Sequence, residues 1–192
     1  MTKKIKKYKI SLRPSFVLRN LKKKVSPEFS KETLEEKIKE ETKRIQELIQ
    51  PSSVYDSFSR DETPEFIKPL WANSSSKSLS LSVAATTIGP SLDQEISQAR
   101  AENKQFKADL IAASASEGLE QSLNFIMKLL NEEAKSEGCE CSPPWVVEST
   151  SIKNCLELLQ TSRIDIQINS DGMLSPLYSN LSYCFWNPLP KK

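Results

Sequence analysis

A chain of 192 residues with 38% hydrophobic and 27% charged content is long enough to bury a core and reads as a globular protein. Its 27 basic and 25 acidic residues leave a formal charge of only +2, so composition offers no argument for a nucleic-acid partner. With no histidine and four glycines, it cannot build His-based triads, zincin motifs or a glycine-rich phosphate cradle.

The first nine residues, Met1 to Lys9, are rich in lysine and read as a mobile basic tail. They lack the apolar stretch of a secretory signal, and nowhere do about 18 apolar residues run together. The expected setting is therefore the cytoplasm, with no membrane contact and with the four cysteines reduced. Cys139-Glu140-Cys141 is too tight for a zinc knuckle, and Cys155 and Cys184 lie far off in sequence, so these are read as buried or idle thiols.

Residues Lys9–Leu12 predict a short strand, broken at Arg13-Pro14. Phe16, Val17, Leu18 and Leu21 predict a short helix ending at Ser26-Pro27, after a second basic cluster at Lys22–Lys24. The stripe Leu34, Ile38, Thr42, Ile45, Leu48 and Ile49 predicts a helix from Lys31 to Gln50, with Glu35/Lys39 and Glu40/Arg44 as surface pairs. Residues 51–77, with three prolines and a serine run, read as a long connection anchored by Tyr55, Phe58, Phe66 and Trp71. Leu79, Leu81 and Val83 alternate with serines and predict a strand over Leu79–Ala84. Thr86-Thr87-Ile88-Gly89-Pro90 is a corner, and Ser91-x-x-Gln94 is a capping box opening a helix to Arg100.

A long helix is expected from Gln105 to Lys135, with Leu110, Ile111, Leu119, Leu123, Ile126, Met127 and Leu130 inward. Its segment Ala112–Ser116 is nearly without bulk, which suits close packing or a ligand wall. Gly138 is the stop, and Ser142-Pro143-Pro144-Trp145 is extended. Thr150–Gln160 reads as a helix and Ile164–Ile168 as a strand. A turn at Asp171-Gly172 then leads to a final strand, Leu181–Trp186. Strands separated by helices, without repeated strand–helix–strand units, predict one α+β domain over 1–192. Its sheet is expected to be mostly antiparallel and twisted, and to hold 79–84, 164–168 and 181–186 together.

Val17–Leu21, the Thr87–Pro90 corner, the run from Ala108 to Gln121 and Pro176–Ser182 are four phrases whose order resembles the activation domain of cobalamin-dependent methionine synthase, which also exists as a short free-standing protein. Val17-Leu18-Arg19-Asn20-Leu21 is similar to that family's V-L-R-Y-L, and Thr87-Ile88-Gly89-Pro90 to its T-I-G-P corner. The run from Ala108 to Gln121 is similar to the central-helix phrase A-x-x-L-D-A-I-G-S-A-A-V-E-A. Ser116 and Glu120 match there, while Ala112 replaces Asp and Ala115 replaces Gly. Pro176–Ser182 is similar to P-x-x-S-V-S-G, keeping Ser179 and Ser182.

The resemblance implies S-adenosylmethionine as cofactor and a cobalamin-binding methyltransferase protein as partner, which itself carries the cobalamin. It also implies a flavodoxin- or ferredoxin-type electron donor. The family's ligand signature, R-x-x-x-G-Y, falls on Glu140–Trp145: the Arg has become Glu140, the Gly Pro144 and the Tyr Trp145, while Pro143 is kept. The cofactor-binding positions implied are Glu120, Ser142, Pro143, Trp145 and Ser179. Three of them have a plainer reading: Glu120 as a solvated helix residue, Trp145 as a ring packed under a loop, and Ser179 as a strand serine meeting water. A non-catalytic capping module, which docks on a corrinoid protein without using S-adenosylmethionine, is the alternative function.

Overall fold

The computed structural model describes residues 2–21 and 31–190. In chain order these form β1 (Lys3–Lys6), α1 (Pro14–Leu21), α2 (Lys31–Leu48), β2 (Ser52–Ser59), a 3-10 helix (Glu65–Asn73), β3 (Ser80–Thr87), α3 (Ser91–Ala101) and α4 (Gln105–Ser136). Then come β4 (Cys139–Cys141), β5 (Trp145–Val146), α5 (Ser149–Leu159), a 3-10 turn (Thr161–Ile164), β6 (Gln167–Ile168), β7 (Leu174–Ser175) and β8 (Ser179–Pro188). The main sheet runs β1-β2-β3-β8-β4, antiparallel throughout, with β5 also paired to β8. The architecture is α+β with a mostly antiparallel sheet, as the sequence predicts. The Lys22–Lys24 cluster and the Ser26-Pro27 stop lie outside the described residues.

Both faces of the sheet are covered, and the alternation of β3 divides them. Leu81, Val83 and Ala85 join Val54, Leu181, Tyr183 and Phe185 under α5 and the first 3-10 helix, through Ile67, Leu70, Cys155, Leu156 and Leu159. Ala84 joins Tyr55 and Cys184 under Ile126 and Leu130 of α4. Ile126 and Leu130 are each 1% exposed, and burying either side chain contributes about 1.5–3 kcal/mol. A third cluster ties Leu12, Ile45, Ile49, Leu92, Ile96 and Ile111 to the corner residue Ile88.

The small residues of α4 serve packing. Ala113, Ser114, Ala115 and Gly118 are buried, and a Cβ on Gly118 would lie 3.0 Å from Ile49 Cδ1. At the corner, Gly89 takes φ +85°, and the Gln50 N–H donates to Ile88 O at 2.9 Å. β3 runs on through Thr86 and Thr87, so the corner begins at Ile88.

Several expectations are corrected. Residues 2–9 are not a mobile tail: Lys3–Lys6 pairs with Ser52–Tyr55 as the sheet's edge strand. Lys3 ion-pairs with Glu133 at 2.8 Å, and Tyr8 stacks on Phe125 at 4.2 Å. Lysines on an edge strand oppose further strand addition, which accounts for their density there. Lys9–Leu12 is not a strand, because Gln46 takes its backbone groups instead: Leu12 N–H donates to Gln46 Oε1 at 2.8 Å and Gln46 Nε2 donates to Ile10 O at 2.9 Å. The long connection 51–77 contains β2 and the 3-10 helix. In β2, Ser53, Val54, Tyr55 and Asp56 are all buried, and a strand covered on both faces shows no alternation.

Ile164–Ile168 does not join the main sheet. Gln167 and Ile168 pair with Ser175 and Leu174 in a separate hairpin, while Ile164 and Ile166 are buried beneath the sheet. The apparent alternation comes from a 3-10 turn followed by a short strand, with Asp165 at φ 59° between them. No side-chain capping bond opens α3; Pro90 holds the cap position. Arg44 pairs with Glu41 at 2.7 Å and with Glu95 of α3 at 3.1 Å, not with Glu40, and so links α2 to α3.

Asp93, in the first turn of α3, holds the Leu177 N–H with Oδ2 at 2.7 Å, while its Oδ1 is buried without a partner. Burial raises this carboxyl's pKa, opposed by the Leu177 hydrogen bond. A raised folded pKa favours folding below the unfolded value of about 3.9, and the advantage is lost as pH rises through the folded value. Asp93→Asn is therefore expected to raise Tm at pH 7, with the gain vanishing below about pH 4. Thermal melts of both proteins across that range check it, and an equal or lower Tm for the variant at pH 7 refutes it.

Candidate functional site

One face of the central helix α4 carries Glu120, Leu123, Asn124, Met127, Lys128 and Asn131. That spacing of three and four residues places them in a single stripe along the helix. Facing the stripe is the chain that leaves β4: Glu140, Cys141, Ser142, Pro143 and Pro144. Between them lies an open groove of about 580 Å³, within the range of small-molecule sites.

The far wall is a β-bulge. Cys141 pairs with Trp186 and Trp145 with Tyr183, so Ser142, Pro143 and Pro144 stand opposite only Phe185 and Cys184. The prolines cannot donate to a ladder, which is why the strand breaks into β4 and β5 here. Ser142 holds the bulge closed. Its N–H donates to Phe185 O at 2.8 Å, and its Oγ accepts the Phe185 N–H at 3.1 Å and donates to Pro143 O at 2.9 Å. From the helix side, Asn131 Oδ1 accepts the Cys141 N–H at 3.0 Å and fixes the width of the groove.

Charges in the groove are mixed. Glu120 and Glu140 supply two carboxylates and Lys128 one ammonium. The Lys128 ammonium forms no ion pair or hydrogen bond among the described residues and is free to meet an anion. Glu120 is steadied by Arg13, whose Nη2 lies 3.6 Å from its Oε1. Arg13 is in turn held by Glu117, a fully buried carboxylate one turn earlier on α4, at 2.6 Å, and by stacking 3.6 Å over the Phe16 ring. Such a groove can receive a zwitterion: a carboxylate beside Lys128, an ammonium beside a glutamate, and an apolar body on Leu123, Met127 and the prolines. Among the described residues no cluster of three His, Cys, Asp or Glu could hold a metal ion.

Of the five positions singled out from the sequence, Glu120, Ser142 and Pro143 meet in this groove. Trp145 does not line it; the ring sits on β5, 47% exposed. Ser179 lies at the opposite end of β8, seven residues from Trp186 and so about 23 Å along the strand. Its hydroxyl donates to Thr87 Oγ1 at 2.9 Å, and Thr87 Oγ1 accepts the Gly89 N–H at 3.1 Å, so Ser179 braces the corner. Leu123 and Met127, expected to point inward, are half-buried at the groove instead. Sequence reading passed over Asn124, Lys128 and Asn131. Their one signal was a polar row at helical spacing beside the apolar stripe.

No helix among the described residues is long and apolar enough to cross a membrane. The sequence matches no known family profile and no curated protein sequence. Among solved structures, the fold is similar to the crystal structure of the MetH reactivation domain bound to AdoHcy. The TM-score is 0.64 at 13% identity, over 100% of this chain and 80% of that one, so what the two share is the fold.

Proposed function

We propose that this protein is a reactivation-type module that holds S-adenosylmethionine in the groove between α4 and the β4–β5 bulge and docks on a cobalamin-carrying methyltransferase protein. The observation that carries the reading is the position of the groove. It joins Glu120, Ser142 and Pro143, drawn from two distant stretches of sequence, on a fold similar to that of a domain solved with AdoHcy. In this reading S-adenosylmethionine would supply a methyl group and leave as S-adenosylhomocysteine, the acceptor being the partner's corrinoid once a flavodoxin- or ferredoxin-type donor had reduced it by one electron. The chain's own work is positioning. Lys128 would meet the ligand carboxylate and Glu120 its ammonium, while Asn131 and Ser142 keep the walls in place. No acid–base residue is required, consistent with a chain that has no histidine.

A second reading is favoured by Glu140 and Pro144. Both stand on the groove wall, one repelling a carboxylate and the other removing a backbone donor. On that reading the protein caps a corrinoid protein without using S-adenosylmethionine.

Calorimetric titration separates the two. The first reading expects weak but saturable binding of S-adenosylhomocysteine, reduced about three- to tenfold by Lys128→Ala, the effect of losing one exposed charge contact. Methylthioadenosine, which lacks the carboxylate, should bind the variant and the unaltered protein equally. Absence of any binding leaves the capping reading. Recovery of nucleic acid and no corrinoid protein from a native extract would overturn both.

A further inference from the structure

The groove wall ends in a pair of thiols that the proposed function does not use. Cys141 closes β4 opposite Trp186, and Cys184 lies two residues back along β8. Positions two apart on a strand share a face, so Cys184 and Trp186 face the same way as Cys141. Both cysteines pack into the cluster formed by Tyr55, Ile126 and Leu130 under α4. They are unequal in access: Cys184 is fully buried, whereas Cys141 is partly open and lines the groove. The thiols also interact with each other. A hydrogen bond with Cys184 lowers the Cys141 pKa, and the same contact, with burial, pushes that of Cys184 up. A partly open thiol with a lowered pKa beside a buried one with a raised pKa is the arrangement of an attacking and a resolving cysteine.

We propose that Cys141 and Cys184 form a reversible disulfide, made by hydroperoxide and broken by thiols, that sets the position of the groove's bulged wall. In the first step the Cys141 thiolate attacks the O–O bond of the peroxide. The S–O bond forms, the O–O bond breaks, and Cys141 sulfenic acid and hydroxide result. The Cys184 sulfur then attacks the sulfenic sulfur; the S–S bond forms, the S–O bond breaks, and the departing hydroxide leaves as water with the Cys184 proton. Two thiols are oxidised by two electrons, and one peroxide is reduced to two oxygens at the level of water. A diagonal pair, typically about 7–8 Å apart, lies just beyond disulfide reach, so the backbone at Cys141 must move toward Cys184. The bulge supplies the slack, because the three residues Ser142–Pro144 span only two on β8. That movement carries Ser142 and Pro143 with it. The inference rests on the strands and thiols alone and does not depend on which ligand the groove takes.

The other cysteines are internal controls. Cys139 is on the same strand as Cys141, two residues away, where an extended backbone holds the side chains parallel. Cys155 is buried on the opposite face of the sheet, and burial pushes its pKa up to about 11.

The test is peroxide treatment of the folded, reduced protein at near-stoichiometric dose, followed by alkylation, digestion and mass spectrometry. Two of the four thiols should disappear together. A peptide pair linking the Cys141 segment to the Cys184 segment should appear, and dithiothreitol should reverse both changes. The link should survive Cys139→Ser and vanish in Cys141→Ser. In Cys184→Ala, sulfenic acid should accumulate at Cys141 and be trapped by dimedone. Sulfenic acid at Cys141 of the unaltered protein with no linked peptide would overturn the proposal, as would a link that runs to Cys139. So would a Cys141 oxidised no faster than Cys155. These three outcomes need only the unaltered protein and stand whether or not a variant folds.

Discussion

Changing Glu140→Arg together with Pro144→Gly is expected to tighten S-adenosylhomocysteine binding about ten- to a hundredfold. Glu140 is exposed on the groove wall and has no positive neighbour there but Lys128 across the gap. At that place a carboxylate repels the ligand carboxylate, while a guanidinium would grip it with two parallel hydrogen bonds. A charge-assisted bidentate contact contributes about 1.5–3 kcal/mol, and solvent at an exposed wall keeps the gain toward the lower figure. Pro144→Gly returns an amide N–H and the backbone freedom that a ligand-wrapping turn requires. Glu140→Gln separates the two effects of the first substitution, since it removes repulsion without adding a grip and should recover only a few-fold. The measurement is the dissociation constant of each variant by calorimetry. If the double variant binds no better than the unaltered protein, the groove is not a site for this ligand and the capping reading is the better one.

Arg13→Met is expected to lower Tm by on the order of 10 °C, with most of that loss regained in the double variant Arg13→Met/Glu117→Leu. Glu117 is fully buried on α4 and receives Arg13 Nε at 2.6 Å, Arg13 Nη2 at 3.3 Å and Gln121 Nε2 at 2.9 Å. Without the guanidinium the carboxylate keeps Gln121 but loses its counter-charge in the helix layer, and stranding a charge is far more destabilising than replacing both partners by apolar groups. The same substitution frees Glu120 and should weaken the groove's hold on a ligand ammonium. Melts of the three proteins at neutral pH decide the matter. A double variant as unstable as the single one would mean that Arg13 acts through Phe16 and not through Glu117.

The two predictions join at one residue. Arg13 belongs to a segment that precedes the first helix, yet it reaches the central helix to hold one structural and one groove carboxylate. Nothing in local sequence announces that reach.

What the sequence determined by itself was local. Apolar residues at helical spacing placed α2 and α4 to within a few residues, since burying one face of a helix leaves a period that survives any tertiary context. Alternating serines and aliphatics placed β3, and the aromatic run Tyr183-Cys184-Phe185-Trp186 placed the core of β8. The α+β class follows from that order.

What only the tertiary structure decided were matters of partnership between distant segments. β2 was hidden because a strand covered by helices on both faces has no reason to alternate. The N-terminal lysines became an edge strand because β2 offered them unpaired backbone groups. Ile164 and Ile166 alternated because a 3-10 turn points them into one core, not because they form a strand. Glu120, Ser142 and Pro143 were readable one by one, but the groove that joins them exists only because β8 brings the bulge of β4 and β5 against the stripe on α4. The same pairing brings Cys141 to Cys184 across 43 residues of chain, a juxtaposition that spacing alone could not reveal.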